Sequence, residues 1–273
     1  MAVTTVSEFN KMEASLDTPQ FGFNKGLKRF GKEGYEATIK ELLENLLDRE
    51  AVKMVLNPSK RIYDMSMLYL MFIKRKRTGL IKSRGVCNGR SQRGYITKDE
   101  SSSPTVATNA LFAVCVLIAA QGRKTVVVDI PGAFLQSDYP SDKEGYIRFT
   151  GTMVDMILKI RPEYKKFVVK TRSGSKYLIG KLLKGVYGTL LGAILFYNKL
   201  KNYLEKMGFK MNPYDLCTFN KMINGQQCTI QFHVDNLFIS HKDTSVLEEI
   251  IDQLNNEFGK ITDFMLGWMK IRV

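Results

Sequence analysis

An acidic residue ends an otherwise apolar strand near the middle of this chain. The run from Thr125 to Ile130 is β-branched and apolar except for Asp129, and such a run predicts a strand that is buried on both faces in the centre of a sheet. A carboxylate at the end of a buried strand is costly unless it is paired, hydrogen-bonded or bound to a metal ion. Asp129 is therefore a candidate functional residue.

A second acidic residue lies in a predicted tight turn. Residues 228–241 predict a strand, a turn at Asp235-Asn236 and a second strand. If these strands and the strand that ends at Asp129 share one sheet, the two carboxylates converge at one edge and repel each other. A divalent cation relieves the repulsion, and hard oxygen ligands favour Mg²⁺, with Mn²⁺ as the alternative. For either aspartate alone, a turn or strand-end residue capped by backbone N–H groups is the commoner interpretation.

The rest of the pattern predicts an α+β fold, in which an antiparallel sheet is backed by helices at 190–207 and 243–258. Ser103 and Pro104 are expected to begin a helix that ends at residue 122, and Ser245 with Glu248 is expected to cap the last helix. Apolar spacing and glycine punctuation predict the other segments: a loose arm at 1–30, a helix at 35–50, a hairpin of 65–73 and 80–86, and a last strand or strand pair at 264–273.

The chain is strongly basic. Its formal net charge is +14 and its pI is near 9.5, which favours a polyanionic partner such as nucleic acid. Eight basic residues and no acidic residue lie in a short stretch on the predicted hairpin and just after it: Lys74, Arg75, Lys76, Arg77, Lys82, Arg84, Arg90 and Arg93. Because the charges have one sign, phosphate contact is favoured over a merely solvated surface.

Two other classes of protein are disfavoured. An anionic membrane surface could also attract a basic chain, but the longest apolar run, residues 110–120, is too short to span a bilayer. No membrane partner is therefore expected. The 4 cysteines form no CxxC pair and have no histidine at metal-ligand spacing, which favours reduced thiols inside a cell.

Six short segments carry motifs in a fixed order: 81–86 (IKSRGV), 103–106 (SPTV), 127–136 (VVDIPGAFLQ), 183–188 (LKGVYG), 232–237 (FHVDNL) and 264–267 (FMLG). In that order they resemble the Tyr-Lys-Ala-Arg-Leu-Val, Ser-Pro-Val-Val, Asp-then-Ala-Phe-Leu, Leu-Lys-x-Leu-Tyr-Gly, aromatic-x-Val-Asp-Asp-Leu and Phe-Leu-Gly motifs of copia-type (Pseudoviridae) LTR retrotransposon reverse transcriptases. Each match alone is weak, whereas all of them in the family's order form a strong resemblance to the fingers and palm of such a polymerase.

The resemblance implies roles for individual residues. Asp129, Asp235 and Asn236 would occupy the catalytic positions, with Asp129, Asp235 and the carbonyl of Ile130 as metal ligands. The implied nucleotide-binding residues are Lys82, Arg84, Ile130, Phe134, Tyr187 and Gly188. Among these, Lys82 and Arg84 would contact the triphosphate and Phe134 would exclude a ribose 2′-hydroxyl. The one-signed charge of the basic stretch, rather than the resemblance, makes Lys74, Arg75, Lys76, Arg77, Arg90 and Arg93 the candidate nucleic-acid contacts.

A right-hand polymerase architecture is also implied, with an antiparallel palm sheet backed by helices and a thumb that is absent or only begun. Its parts would be the arm at 1–30, fingers at 31–124, palm at 125–141, a fingers or palm insertion at 142–182, palm at 183–260, and the end of the palm or start of the thumb at 261–273. Two departures stand out: Asn236 replaces the second hairpin aspartate, and the apolar segment 189–194 replaces Lys-Gln-Ala-Pro-Arg.

Two functions fit these observations best, and a third, a purely structural partner in a retroelement particle, fits them less well. One is an RNA-directed DNA polymerase that extends a primer 3′ end by two-metal nucleotidyl transfer, with activity impaired by Asn236. The other is a catalytically decayed or domesticated copy that binds nucleic acid. The expected partners are an RNA template, a DNA primer and dNTP, together with polyprotein parts such as RNase H, integrase and capsid. The expected location is a cytoplasmic retroelement particle, and also the nucleus.

Overall fold

A computed structural model describes residues 19–76 and 78–266, and for residues 262–266 it describes the backbone alone. These residues form two compact units. The first comprises the described residues up to Tyr95 together with Tyr139–Leu190, and the second comprises Ile96–Asp138 and the described residues from Leu191 onward. Within these ranges, no helix is both long enough and apolar enough to cross a membrane.

The described helices are α1 Phe23–Leu42, α2 Lys60–Met65, α3 Lys98–Ser101, α4 Thr108–Gln121, α5 Thr152–Ile160, α6 Gly192–Lys206 and α7 Thr244–Phe258. The described strands are β1 Gln20–Gly22, β2 Val52–Met54, β3 Met67–Arg75, β4 Ile81–Cys87, β5 Lys124–Asp129, β6 Tyr146–Thr150, β7 Val169–Lys170, β8 Lys176–Leu182, β9 Lys210–Asn212, β10 Asp215–Ile223, β11 Gln226–His233, β12 Asn236–His241 and β13 Thr262–Leu266. Shorter helical turns lie at Leu43–Leu47, Gly89–Gly94, Ala133–Gln136 and Pro162–Phe167.

The first unit is built on a sheet in the order β1-β3-β6-β8-β2, with β4 paired to β3 and β7 paired to β8. The β3–β4 pair confirms the predicted hairpin. Along β3, Met71 and Ile73 are buried, whereas Phe72 and Lys74 are more exposed, as expected for a sheet covered on one face. Helix α1 covers that face so closely that a Cβ at Gly26 would lie 2.8 Å from the Cβ of Ile73.

The second unit is an antiparallel sheet in the order β13-β5-β12-β11-β10-β9. Helices α6 and α7 pack on one face of this sheet and form a core with the strands, which includes Leu200, Leu254, Val126, Val128 and Ile239. The buried strand predicted at 125–130 is β5, which lies between β12 and β13. The predicted α+β fold with an antiparallel sheet backed by these two helices is therefore confirmed.

The helix predicted from Ser103 begins later. Its first residue is Thr108, and the preceding Ala107 N–H donates to Oδ2 of Asp215 at 2.8 Å. The residue just before the helix is thus tied to a strand far away in sequence, and no side chain caps the helix at Ser103, so the local Ser-Pro signal was misleading. The predicted end is confirmed, because Gly122 adopts a left-handed conformation with φ 61°.

The loose arm predicted at 1–30 is wrong for its described residues beyond Pro19. Residues 20–30 form β1 and the beginning of α1, although three glycines in this helix lower its intrinsic propensity. Gly31 interrupts the helix with φ 51°. The helix predicted at 35–50 corresponds to the second half of α1 and the turn that ends at Leu47.

Two predictions near the end of the chain also change. The cap of α7 is Asp243, whose carboxylate accepts the Ser245 N–H at 3.0 Å, so Ser245 lies inside the helix and no Ser245–Glu248 capping box forms at the predicted position. The last strand is β13, which pairs with β5. Residues 267–273, predicted as part of that strand or strand pair, lie outside the described residues.

Candidate functional site

Asp129, Asp235 and Asn236 lie together at one end of the second unit's sheet. Asp129 is the last residue of β5 and Asn236 the first of β12, and the two are directly opposite each other in the register. The Ile130 N–H donates to the Asp235 carbonyl oxygen at 3.0 Å, which holds the turn against the end of β5. Opposed residues of antiparallel strands share a face with their Cβ atoms about 5 Å apart, so Asp129 and Asn236 are immediate neighbours.

The Asn236 side chain also contacts the second aspartate. Its Nδ2 donates to Oδ1 of Asp235 at 3.3 Å. The neutral amide of Asn236 donates one hydrogen bond to the Asp235 carboxylate. It also avoids the repulsion that a third carboxylate would add at this position. This edge can therefore be stable without a bound cation.

The turn that presents Asp235 is strained. It consists of Val234 and Asp235, one residue earlier than the predicted Asp235-Asn236. Val234 has φ 58°, and a positive φ at the first central residue only is the pattern of a type II′ turn, where glycine is usual. A non-glycine residue in such a conformation costs about 1–3 kcal/mol, so the packing around β11, β12 and β5 must enforce it.

Two other predicted site residues belong to the same unit. Ile130 is fully buried, and its N–H is used in the bond to Asp235. Phe134 lies in the helical turn Ala133–Gln136, where it is partly buried against the core of the second unit. This partial burial suits either plain packing or contact with a ligand.

Several predicted nucleotide-binding residues lie together in the first unit. Lys74 and Lys82 are opposite each other on β3 and β4, and Arg84 is opposite Phe72 on the same exposed face. The Arg84 guanidinium lies 5.4 Å from the centre of the Tyr187 ring, a cation–π contact. The Cys87 N–H donates to the Tyr187 carbonyl oxygen at 2.7 Å and so joins the end of β4 to this turn.

The other basic residues are more dispersed. Arg75 faces away from Lys74 and lies over the Phe30 ring at 5.8 Å, next to helix α1. Lys76 is exposed beyond the end of β3, and Arg90 and Arg93 are exposed in the turn Gly89–Gly94. Arg77 lies outside the described residues. The basic stretch is thus not one continuous surface.

Gly188 has a structural reason to be glycine. Its φ is 84°, and a Cβ there would lie 2.1 Å from the carbonyl oxygen of Cys87. Only glycine fits this close approach of two backbone segments within the first unit. Helix α6 begins at Gly192, close to the start predicted at 190.

Gln92 is a supporting residue that gave no signal in the sequence. It is fully buried, its Nε2 donates to the Tyr139 hydroxyl at 3.0 Å, and its Oε1 accepts the Leu190 N–H at 2.7 Å. Burial raises the pKa of the Tyr139 hydroxyl above its ordinary value. Gln92 thus anchors the segment that follows Gly188 to two other parts of the first unit.

Similarity to known proteins decides the family. A family model described as "Reverse transcriptase (RNA-dependent DNA polymerase)" matches residues 50–267, which include every motif segment noted above. This chain belongs to that family. The copia-type assignment drawn from the motifs is confirmed as well, because the similar curated proteins are Pol polyproteins of plant transposons.

Among the curated relatives of this family member are the "Retrovirus-related Pol polyprotein from transposon RE1" of Arabidopsis thaliana, 25% identical over 178 residues, and its counterpart from transposon TNT 1-94 of Nicotiana tabacum, also 25% identical over 178 residues. The matched part is 65% of this chain and 11% of the first relative or 12% of the second. The chain therefore spans only about a tenth of the length of these relatives.

Solved structures of reverse transcriptases are also similar. A foamy viral protease-reverse transcriptase in complex with double-stranded DNA has a TM-score of 0.44 and 13% identity, over 85% of this chain and 31% of the other. Telomerase from Candida albicans, in complex with a fragment of telomeric RNA, has a TM-score of 0.40 and 11% identity, over 84% of this chain and 47% of the other.

Reverse transcriptases generally use divalent metal ions, and the donor set of this family member fits one in part. Two carboxylates, Asp129 and Asp235, lie at the same sheet edge as the carbonyl of Ile130, and these are hard oxygen donors of the kind that Mg²⁺ and Mn²⁺ prefer. Among the described residues, however, no group of three or more His, Cys, Asp or Glu side chains could hold a metal ion. An aspartate in place of Asn236 would add a third carboxylate opposite Asp129.

Proposed function

We propose that this member of the reverse transcriptase family is the fingers and palm of an RNA-directed DNA polymerase of a copia-like retroelement, with a catalytic edge weakened by Asn236. The observation that supports it best is the register of the second unit's sheet. Asp129 faces Asn236 directly, and the Asp235 backbone is hydrogen-bonded to Ile130. The two carboxylates of the catalytic motifs thus share one sheet edge.

In this proposal Asp129, Asp235 and the Ile130 carbonyl hold divalent cations. When bound, such ions supply activation of the primer 3′-hydroxyl and neutralisation of the departing pyrophosphate. The strained turn at Val234 keeps the Asp235 side chain at the sheet edge. Asn236 offers a neutral amide oxygen in place of a carboxylate, so metal affinity is lowered while the positions of the other ligands are kept.

The remaining residues bind substrates. Lys82 and Arg84 contact the triphosphate of the incoming dNTP, and the Tyr187 ring orients the Arg84 guanidinium, whose planar donors suit phosphate. Phe134 acts as the gate against a ribose 2′-hydroxyl, and the turn at Gly188 lies beside the nucleotide. RNA template and DNA primer contact the basic residues Lys74, Arg75, Lys76, Arg77, Arg90 and Arg93. The protein acts in a cytoplasmic retroelement particle and in the nucleus, alongside RNase H, integrase and capsid.

The second candidate function is a decayed or domesticated copy that binds nucleic acid without catalysis. The hydrogen bond from Asn236 to Asp235 favours it, because this bond occupies an oxygen that a metal ion would otherwise use. The net charge of +14 supports nucleic-acid binding under either proposal.

Primer extension separates the two candidates. The chain is assayed on an RNA template with a DNA primer in Mg²⁺ or Mn²⁺, next to Asn236→Asp, Asp129→Asn and, as a matched control, Asp142→Asn in an exposed loop. The polymerase proposal expects weak extension that Asn236→Asp increases and Asp129→Asn abolishes. If neither the original chain nor Asn236→Asp extends the primer while both bind it, the decayed copy is the better account. If neither binds it, both proposals fail.

A further inference from the structure

A groove of about 420 Å³ lies within the second unit, between α4 and the strands β10 and β11. Its helical wall presents small or aliphatic side chains three and four residues apart, including Ala110, Ala113 and Leu117. The opposite wall is polar and includes Asn220 and Gln231. The volume is within the range of roughly 300–1,000 Å³ that small-molecule sites occupy.

Gln231 lines this groove and carries a buried acceptor that no described residue uses. It is 1% exposed, and its Oε1 has no hydrogen-bond partner among the described residues. The orientation of its amide is fixed by its neighbours: Thr218 must donate its hydroxyl proton to the Asp215 carboxylate, at 2.9 Å, so the Thr218 oxygen accepts from Nε2 of Gln231 at 3.0 Å. The carbonyl end therefore remains for a donor supplied by a ligand.

The charge of the groove argues against a bound phosphate. Among the described residues that line the groove, only Asp215 is charged, and its carboxylate already accepts from the Ala107 N–H, the Cys217 N–H and the Thr218 hydroxyl. In a chain of net charge +14, this surface is locally neutral to acidic. A neutral group that carries N–H donors fits it better than an anion.

An exposed aromatic residue lies at the mouth of the groove. Tyr214 lines it and is 96% exposed, so its ring is free to stack. Single-stranded nucleic acids are recognised by this combination of an aromatic ring for the face of a base and amide groups for its edge. The flat alanine wall of α4 would contact the other face of a planar ring.

The groove opens on the sheet face that carries the catalytic residues. Gln231 and His233 are two apart on β11 and so share a face. His233 is opposite Asn236, which is opposite Asp129. A nucleic acid strand that reaches the edge at Asp129 can therefore continue along this face.

We propose that this groove binds one nucleobase of a single-stranded nucleic acid, with an N–H of the base donating to Oε1 of Gln231 and with Tyr214 stacked on the ring. The inference rests on the proposed function for the identity of the strand. It adds a site for base recognition, separate from the phosphate contacts of the basic residues. Because a base carries no charge, the affinity contributed by this site should depend little on salt, whereas the affinity contributed by phosphate contacts falls as salt rises.

Equilibrium binding of a labelled single-stranded RNA octamer tests the inference, in chelator and without dNTP, so that catalysis plays no part. Tyr214→Ala is a surface change that leaves the fold intact, and Gln231→Leu removes the acceptor at nearly constant size. Met222→Ala is the matched control, because Met222 is an exposed residue of β10 outside the groove lining. We expect about 5- to 100-fold weaker binding for Tyr214→Ala and about fivefold for Gln231→Leu.

Salt titration and an abasic octamer identify what is contacted. Both groove variants should keep the slope of affinity against salt, because no phosphate contact is lost. The abasic octamer should bind equally to the original chain and to Tyr214→Ala. A free nucleoside should compete with the octamer for the original chain only, which separates binding of a base from binding of a strand.

Three results would overturn the inference. Groove variants that bind like Met222→Ala would show that the groove takes no base. A loss of affinity with a reduced salt slope would show that Tyr214 and Gln231 act through a phosphate. Competition by an arginine-containing peptide, but not by a nucleoside, would make the groove a protein-docking site. If the original chain binds no single-stranded nucleic acid at all, the proposed function fails together with the inference.

Discussion

Replacing Asn236 by aspartate would place a third carboxylate at the end of the second unit's sheet. Asn236 faces Asp129 directly and donates to Asp235 at 3.3 Å. Like charges directly opposite on neighbouring strands destabilise by about 0.2–1 kcal/mol, and loss of an exposed hydrogen bond costs about 0.5–1 kcal/mol more. The bare Coulomb repulsion at about 5 Å, roughly 3 kcal/mol at an effective dielectric constant of 20, is an upper bound because water screens this edge. We expect a net loss of about 1–2 kcal/mol in chelator.

Thermal unfolding measures this change. For a chain of 273 residues, 1 kcal/mol corresponds to about 2–4 °C in Tm, so Asn236→Asp should lower Tm by roughly 2–8 °C in chelator. Mg²⁺ or Mn²⁺ should restore most of that loss, because a cation that binds only the folded state stabilises it. The original chain should respond less to the metal.

Asn224→Asp is the matched control for this experiment. Asn224 lies with Gly225 in the turn between β10 and β11 and has φ 51°, so it undergoes the same chemical change in another hairpin of the same sheet. It should show no added response to metal. If Asn236→Asp is as stable as the original chain in chelator, and Mg²⁺ shifts all three proteins alike, then the three side chains do not meet as argued and the metal assignment is wrong.

Three further changes probe the supporting structure. Val234→Gly should raise stability by about 0.5–2 kcal/mol in urea unfolding, because relief of about 1–3 kcal/mol of strain exceeds the entropy cost of glycine, about 0.5–1 kcal/mol. The same change should reduce primer extension, because it loosens the turn that holds Asp235. Gly188→Ala should destabilise by more than about 2 kcal/mol, since its Cβ would lie 2.1 Å from the Cys87 carbonyl oxygen, whereas Gly94→Ala, with open space around it, should change unfolding by less than about 0.5 kcal/mol. Arg84→Ala should raise the KM for dNTP more than it lowers kcat, as measured by steady-state extension with the Asn236→Asp chain.

Elements whose signals are local could be predicted from the sequence. The β3–β4 hairpin follows from two apolar runs around a glycine turn, and β5 follows from a β-branched run that is apolar up to Asp129. Helices α6 and α7 end where Gly208 and Gly259 follow them. The meeting of Asp129 with the β11–β12 turn required only that the strands share a sheet.

Features that depend on distant partners could not be predicted. The residue before α4, Ala107, is held by the Asp215 carboxylate, which lies 108 residues away in sequence. Helix α1 contains glycines that weaken its own propensity, but the close approach of Gly26 to Ile73 requires one of them. Gln92 resembles any polar loop residue in the sequence, and its burial becomes evident only when its contacts with Tyr139 and Leu190 are known.

The strain at Val234 bears on which function this chain has. Val234 is the valine of the hairpin motif, and its φ of 58° costs stability that glycine or asparagine would recover. A decayed copy that only binds nucleic acid gains nothing from holding Asp235 at the sheet edge in this way. A polymerase gains a carboxylate that is held in position beside Asp129. The strained turn and the pair Asp129–Asp235 therefore favour the first candidate function, a polymerase whose sheet edge keeps its geometry but lacks one carboxylate. They speak against the second, a decayed copy in which the arrangement of these residues no longer matters. The double variant Asn236→Asp/Asp129→Asn tests this argument. The primer extension gained by Asn236→Asp should disappear when Asp129→Asn is added, while binding of the primer is unchanged.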